Sequence, residues 1–190
     1  MNYHAPVELG PQPVRLKVKD VVLLDGGGAF RDYGRIELIE GELLYMNAQF
    51  RPHMFAKDEL AYRIRQALEA NGVDLFVGTE ASVHLSDHDL PQPDIILTSE
   101  ARGDGPVPGD SVRLLVEVAD TTLDHDLGRK ATMYASARVA EYWVVDLNGR
   151  VIHQLANPEG VQFSRHDEVP FGQPIVAITI PGLTVATNRL

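Results

Sequence analysis

The run Leu114-Leu115-Val116-Glu117-Val118 constrains this chain more than any other stretch. Apolar residues at successive positions, rather than at alternate ones, describe a strand covered on both faces. Such a strand belongs in the middle of a sheet that has helices on each side, so Glu117 sits in that interior. A lone buried carboxylate costs several kcal/mol unless a cation, a metal ion or a hydrogen-bond network meets it. An outward-facing residue on a sheet edge is the plainer alternative, and the continuous apolar run disfavours it. The expectation is an α/β (α+β) chain with a mixed sheet packed between helices, and a partner for Glu117 elsewhere in the sequence.

The flanking segments supply the rest of that architecture. Residues 1–13 hold three prolines and a glycine and read as a loosely draped arm. Residues 14–24 suit a short strand or helix, broken by Gly26-Gly27-Gly28. Residues 35–46 suit a strand pair around Glu40-Gly41-Glu42. Leu60, Ala61, Ile64, Ala67 and Leu68 recur at helical spacing, with Pro52 before them and Asn71-Gly72 as the stop, which predicts a helix over 53–70. Strands are expected at 74–78, 81–85, 94–98 and 112–119, with an exposed loop at 99–111. A second helix, about 125–138, carries Leu127, Ala131 and Tyr134 on one face. Strands at 140–146 and 151–155 flank Asn148-Gly149, a two-residue hairpin signal, and 175–180 gives a last strand. A chain of 190 residues forms one domain.

The net charge is −10 at pH 7, from 17 Lys plus Arg against 27 Asp plus Glu. Residues 36–100 alone hold 4 basic and 12 acidic side chains, so no basic stripe marks a general nucleic-acid surface. Clustered carboxylates are equally what divalent cations require. The absence of Cys excludes disulfides, thiolate metal sites and cysteine nucleophiles. No apolar run approaches the roughly 18–20 residues that cross a bilayer, and the start lacks the pattern of a signal peptide. The chain reads as a soluble, cytoplasmic protein.

Three residues could carry chemistry together. Pro93-Asp94 heads the apolar strand Ile95-Ile96-Leu97, placing a carboxylate at the sheet rim, although Asp after Pro is also common in turns. Glu117 is the embedded acid. Lys130 lies beside the buried face of the second helix, which passes over the rim on its return from strand 112–119; most helix lysines are simply solvated. Two carboxylates and an amine are what metal-assisted phosphodiester hydrolysis needs: the acids hold one or two Mg²⁺, and the lysine orients water and offsets developing charge. Tyr134 and Trp143 are most simply core. Asp87-His88-Asp89 and Asp124-His125-Asp126 suit turn and cap residues better than metal clusters, and neither has the glycine and terminal glutamate of a calcium loop.

These residues stand in a recognisable order. Ile36-Glu37-Leu38-Ile39-Glu40-Gly41-Glu42-Leu43, His53, Pro93-Asp94, Val116-Glu117-Val118, Asp126-x-x-x-Lys130-x-x-x-Tyr134, Val139-Ala140-Glu141-Tyr142-Trp143-Val144-Val145-Asp146 and Gly182-Leu183-Thr184-Val185 together resemble the Uma-type restriction endonucleases of the PD-(D/E)XK nuclease superfamily. The resemblance covers roughly 33–187, leaving 1–32 as an N-terminal arm and leading element. It implies a restriction endonuclease-like core with Mg²⁺ or Mn²⁺ at the rim. Asp94, Glu117 and Lys130 match the catalytic positions, and the carbonyl of Val118 and the carboxylate of Glu42 match further metal ligands. His53 is implied as a contact to phosphate or water. One position departs from the superfamily pattern: two residues after the second acid stands Ala119, and the Uma-type family shows its lysine relocated to the helix, where Lys130 stands.

The leading expectation is a metal-dependent DNA endonuclease. The charge of −10 motivates a second, a nuclease-fold module that no longer cuts and binds nucleic acid or a protein. A metal-dependent phosphoesterase for small substrates is a third, although Gly26-Gly27-Gly28 is no phosphate loop. Cutting both DNA strands implies a homodimer by superfamily analogy, with Arg51, Arg63, Arg65 and Arg129 as local counter-charge.

Overall fold

The structure is a computed structural model and describes residues 10–46 and 48–190; residues 1–9 of the expected arm lie outside the described residues. The leading element is a helix, α1 (Val18–Gly26), which stops at the glycine run. The hairpin β1 (Arg35–Ile39) and β2 (Glu42–Met46) follows, antiparallel and turned on Glu40 and Gly41, both at positive φ (51° and 79°). That pair of angles is the mirror-image turn that suits the twist of two strands. Val18 and Val21 of α1 pack on Leu38 of the hairpin.

The long helix α2 (Arg51–Asn71) buries Leu60, Ile64 and Leu68 and ends on Gly72 in the left-handed conformation (φ 63°). Beyond it run β3 (Phe76–Thr79), β4 (Val83–His84), β5 (Ile95–Thr98), β6 (Val107–Pro108) and β7 (Val112–Ala119). The connection from β7 to β8 (Glu141–Asp146) is helical throughout: α3 (Leu123–His125), a π turn (Asp126–Lys130) and α4 (Ala131–Ser136). Four strands complete the chain, β9 (Val151–Glu159), β10 (Gln162–Pro170), β11 (Ile175–Val176) and β12 (Thr184–Val185).

Six strands form the main sheet in the order β10-β9-β8-β7-β5-β3. Only β7 and β8 are parallel; every other pairing is antiparallel. A parallel pair needs a crossover, and the helical connection supplies it. β7 is buried on both faces, as its apolar run implies. Leu114, Val116 and Val118 face α2 together with Trp143 and Val145. Leu115 and Ala119 face the crossover helix, among Ala131, Met133, Tyr134 and Val144. The sheet is therefore a layer between two helical layers, in one domain. Among the described residues no helix is long and apolar enough to cross a membrane.

Four local expectations change. Residues 81–85 form only the short β4, which pairs parallel with β6 outside the main sheet because the loop after β5 folds back on it. The turn at Asn148-Gly149 spans four residues, since Asp146 Oδ1 accepts the N–H groups of Asn148 (3.0 Å) and Gly149 (2.8 Å) and Asp146 pairs with Val151. Residues 175–180 pair only at β11, because the N–H groups of Ile178 and Thr179 donate to Glu141 Oε2 (2.9 and 2.8 Å) instead of to a strand. β10 has no counterpart in the sequence reading. It is an edge strand held on one side by backbone bonds, and its charged, mostly exposed residues carry no apolar signature.

Glu141 is fully buried and faces no cation; its oxygens also accept from Trp143 Nε1 and Gln154 Nε2, both 2.7 Å, and from Thr179 Oγ1. It staples the segment after β11 to β8. Glu141→Ala is expected to cost about 3–5 kcal/mol in urea denaturation, because several buried donors lose their acceptor at about 1–3 kcal/mol each and relaxation recovers part.

Candidate active site

Asp94 immediately precedes β5 and is almost wholly buried at the sheet rim. Both of its oxygens accept hydrogen bonds. Oδ2 accepts from the backbone N–H of Val118 (2.8 Å) and from Nε2 of His53 (3.0 Å). Oδ1 accepts from Gln49 Nε2 (3.0 Å) and Arg35 Nη1 (3.3 Å). Burial alone would raise its pKa; the donation from His53, the charges of His53 and Arg35, and the Val118 N–H outweigh that and hold it at about 2.

Glu117 stands on the opposite face of β7 from Val118. Its Oε1 accepts from Lys130 Nζ (2.9 Å) and Tyr134 Oη (2.8 Å). Lys130 lies in the π turn with no exposure, and its ammonium also sits 3.1 and 3.0 Å from the two oxygens of Glu37 on β1. Glu37 Oε1 is further held by the N–H of Gln92 (2.8 Å). π turns interrupt helices most often at functional sites, and this one carries the lysine. Burial lowers the pKa of Lys130, but the charges of Glu117 and Glu37 raise it further, so the amine stays protonated. For Glu117 burial dominates; the Lys130 charge opposes it, while Asp94, Asp126 and Glu37 add to it, and its pKa is pushed up to about 8. Burial likewise pushes Asp126 to about 6.

The three residues singled out from widely spaced motifs thus share one rim. Asp94 and Glu117 meet where β5 and β7 reach the rim: the register that sets Ile95 opposite Val116 continues to them, and Asp94 accepts the next N–H along β7, that of Val118. The donor set fits a hard divalent cation: the acids Asp94, Glu117 and Glu37 offer oxygen donors and outnumber the fixed cations Lys130 and Arg35.

Residues 24–188 match the family model Uma2, described as "putative restriction endonuclease". The chain belongs to the Uma2 family. Among solved structures, the Uma2 chain is similar in fold to a putative nuclease belonging to DUF820 from Anabaena variabilis ATCC 29413, at 14% identity with a TM-score of 0.55, over 82% of this chain and 84% of that one. No curated protein matches it.

The remaining expectations for the Uma2 chain divide. His53 is buried and fixes the orientation of Asp94, while its Nδ1 has no partner among the described residues. Glu42 stands apart from the rim group. Its side chain is 58% exposed and paired with Arg129 Nη2 at 2.7 Å, next to Glu40. The acid that the hairpin sends to the rim is Glu37; Glu42, opposite Ile39 on the same face, lies at the turn end and is held by Arg129. Asp87 pairs with Lys17 and Asp89 accepts from the backbone of Glu40, both as turn residues. Sequence reading missed Glu37, Arg35 and Gln49, and took Tyr134 as core without its bond to Glu117. The signal for Glu37 was present: like Glu117, it is a charge embedded among Ile36, Leu38 and Ile39.

The depressed pKa of Asp94 has a definite pH signature. A carboxylate with a folded pKa near 2 and an ordinary value of 3.8 contributes stability that is present above pH 4 and lost as pH falls toward 2. The loss is on the order of 2 kcal/mol. Asp94→Asn is expected to be less stable at pH 7 and to show a flatter decline between pH 4 and 2, measured by thermal unfolding across that range.

Proposed function

We propose that this protein is a metal-dependent endonuclease that hydrolyses phosphodiester bonds in DNA. The observation that carries the reading is the meeting of Asp94, Glu117 and Lys130 from three separate elements at one sheet rim. The family description supports a nuclease in general; the metal and the DNA substrate are our reading.

Asp94 and Glu117, with the carbonyl of Val118, would hold Mg²⁺ or Mn²⁺, whose contribution when bound is Lewis-acid polarisation of the scissile phosphate. The protein's own residues prepare that site. His53, Gln49 and Arg35 fix the Asp94 carboxylate in a charged form and a single orientation. Lys130 and Tyr134 occupy Glu117 Oε1, which leaves Oε2 as the oxygen for a ligand. The Lys130 ammonium also offsets negative charge that develops at the phosphate. Glu37 takes the place expected of Glu42, and holds Lys130 from the far side. The catalytic unit spans 33–187, preceded by an arm and leading element, and acts on duplex DNA as a homodimer with one such rim per strand.

Plasmid nicking by purified protein in Mn²⁺, beside Asp94→Ala and Lys130→Ala, tests this. Wild type is expected to nick. Each variant is expected to lose at least about 100-fold, the scale on which removing one charge-stabilising group from an active site acts. Circular dichroism shows whether Lys130→Ala, which leaves two buried carboxylates unpaired, remains folded. Chelation by EDTA should abolish nicking, and Mg²⁺ or Mn²⁺ should restore it. Wild type that cuts neither single- nor double-stranded DNA would point to the binding or small-phosphoester readings.

A further inference from the structure

Away from the rim, two imidazoles and a carboxylate meet on the outer strands of the sheet. His153 lies on β9, and His166 and Glu168 lie on β10. Glu168 is directly across from His153, and His166 is across from Leu155, two residues along, so all three project from the same face. His153 Nδ1 is 3.1 Å from His166 Nε2 and 3.5 Å from Glu168 Oε1, and the three atoms fall within 4.8 Å of one another. Among the described residues no other trio of histidines and acids, the rim acids included, brings its ligand atoms so close. His153 is buried, while His166 and Glu168 are exposed and reachable from solvent.

We propose that His153, His166 and Glu168 form a second metal site, for a divalent cation of the zinc class. The separations are those of ligands that share one ion. With bonds of about 2.0–2.1 Å in tetrahedral geometry, zinc ligands sit about 3.3–3.5 Å apart, close to the two distances seen. Two imidazoles and a carboxylate select borderline metals such as zinc, whereas the all-oxygen rim selects Mg²⁺ or Mn²⁺. Three protein ligands leave a fourth position for water. The site stands independently of the reading of Asp94 and Glu117, although Glu117, Val144, His153 and Glu168 form one cross-strand row. The second ion, shared by β9 and β10, therefore lies between two and three strands from Glu117, about 12 Å at 4.7–4.9 Å per strand. It pins the edge strand β10 to β9.

Zinc titration of the full chain against a chromophoric chelator, in excess Mg²⁺, tests the proposal, with His166→Ala, Glu168→Gln and Asp94→Asn alongside. Both substituted ligands are exposed, so the variants fold. Wild type and Asp94→Asn should take up one zinc per chain and gain thermal stability with it. His166→Ala and Glu168→Gln should bind at least about 10–100-fold more weakly, since loss of even an outer-sphere partner costs that much. No uptake by wild type, or uptake unchanged in both ligand variants, would overturn the site and leave an imidazole–imidazole hydrogen bond in its place. Loss of zinc only in Asp94→Asn would place the ion at the rim instead.

Discussion

A single ammonium without access to water organises the rim. Lys130 lies between Glu37 and Glu117, and these three residues come from a hairpin, a central strand and a π turn far apart in the chain. None of the three could be buried alone, since an unpaired ion in a protein interior costs several kcal/mol. Each is tolerated because the others are there, so the hairpin, the central strand and the crossover helix must all dock for any one of them to do so. The triad pairs two acids with one ammonium, and burial favours the protonated form of Glu117.

Glu141 shows how differently a buried carboxylate can be handled. It faces no ammonium or guanidinium, only neutral N–H and O–H donors from Trp143, Gln154, Ile178 and Thr179. Saturated in this way, it has no ligand position to spare and serves only to close the chain onto β8. Glu117 has both its donors on one oxygen. Glu117 and Glu141 are both buried, and they differ in how their donors are distributed over the two oxygens.

Much of the layout was legible in the residues. The unbroken apolar run of β7 identified a central strand, and the helical spacing of Leu60, Ile64 and Leu68 identified α2. The spacing of Asp94, Glu117 and Lys130 supplied the rim. What could not be read depended on partners that no local pattern encodes. β10 needs only the backbone of β9, so its composition stays polar. The segment after Val176 leaves the sheet because Glu141 captures its N–H groups. Glu37 carried the same embedded-charge signal as Glu117, yet Glu42, one turn further along the hairpin, drew attention by its place beside Gly41. Glu37 and Glu42 lie on one face of the hairpin, and only their partners tell them apart: Lys130 meets Glu37, and Arg129 holds Glu42 at the turn.

The sheet contains one parallel pair, and Lys130 belongs to the crossover that joins it. The amine is thus delivered by the chain's return path and not by the strand that bears the acid. Strand pairing has a period of two, so a slip of β7 by one residue would put Val116 or Val118 against Lys130 and bury Glu117 among the apolar residues of α2. Glu117 would then be stranded in the wrong layer, and Lys130 would lose one of its two acids. The same ion pair that joins the rim therefore acts as a proofreader of folding, penalising a sheet in which β7 has slipped by one residue.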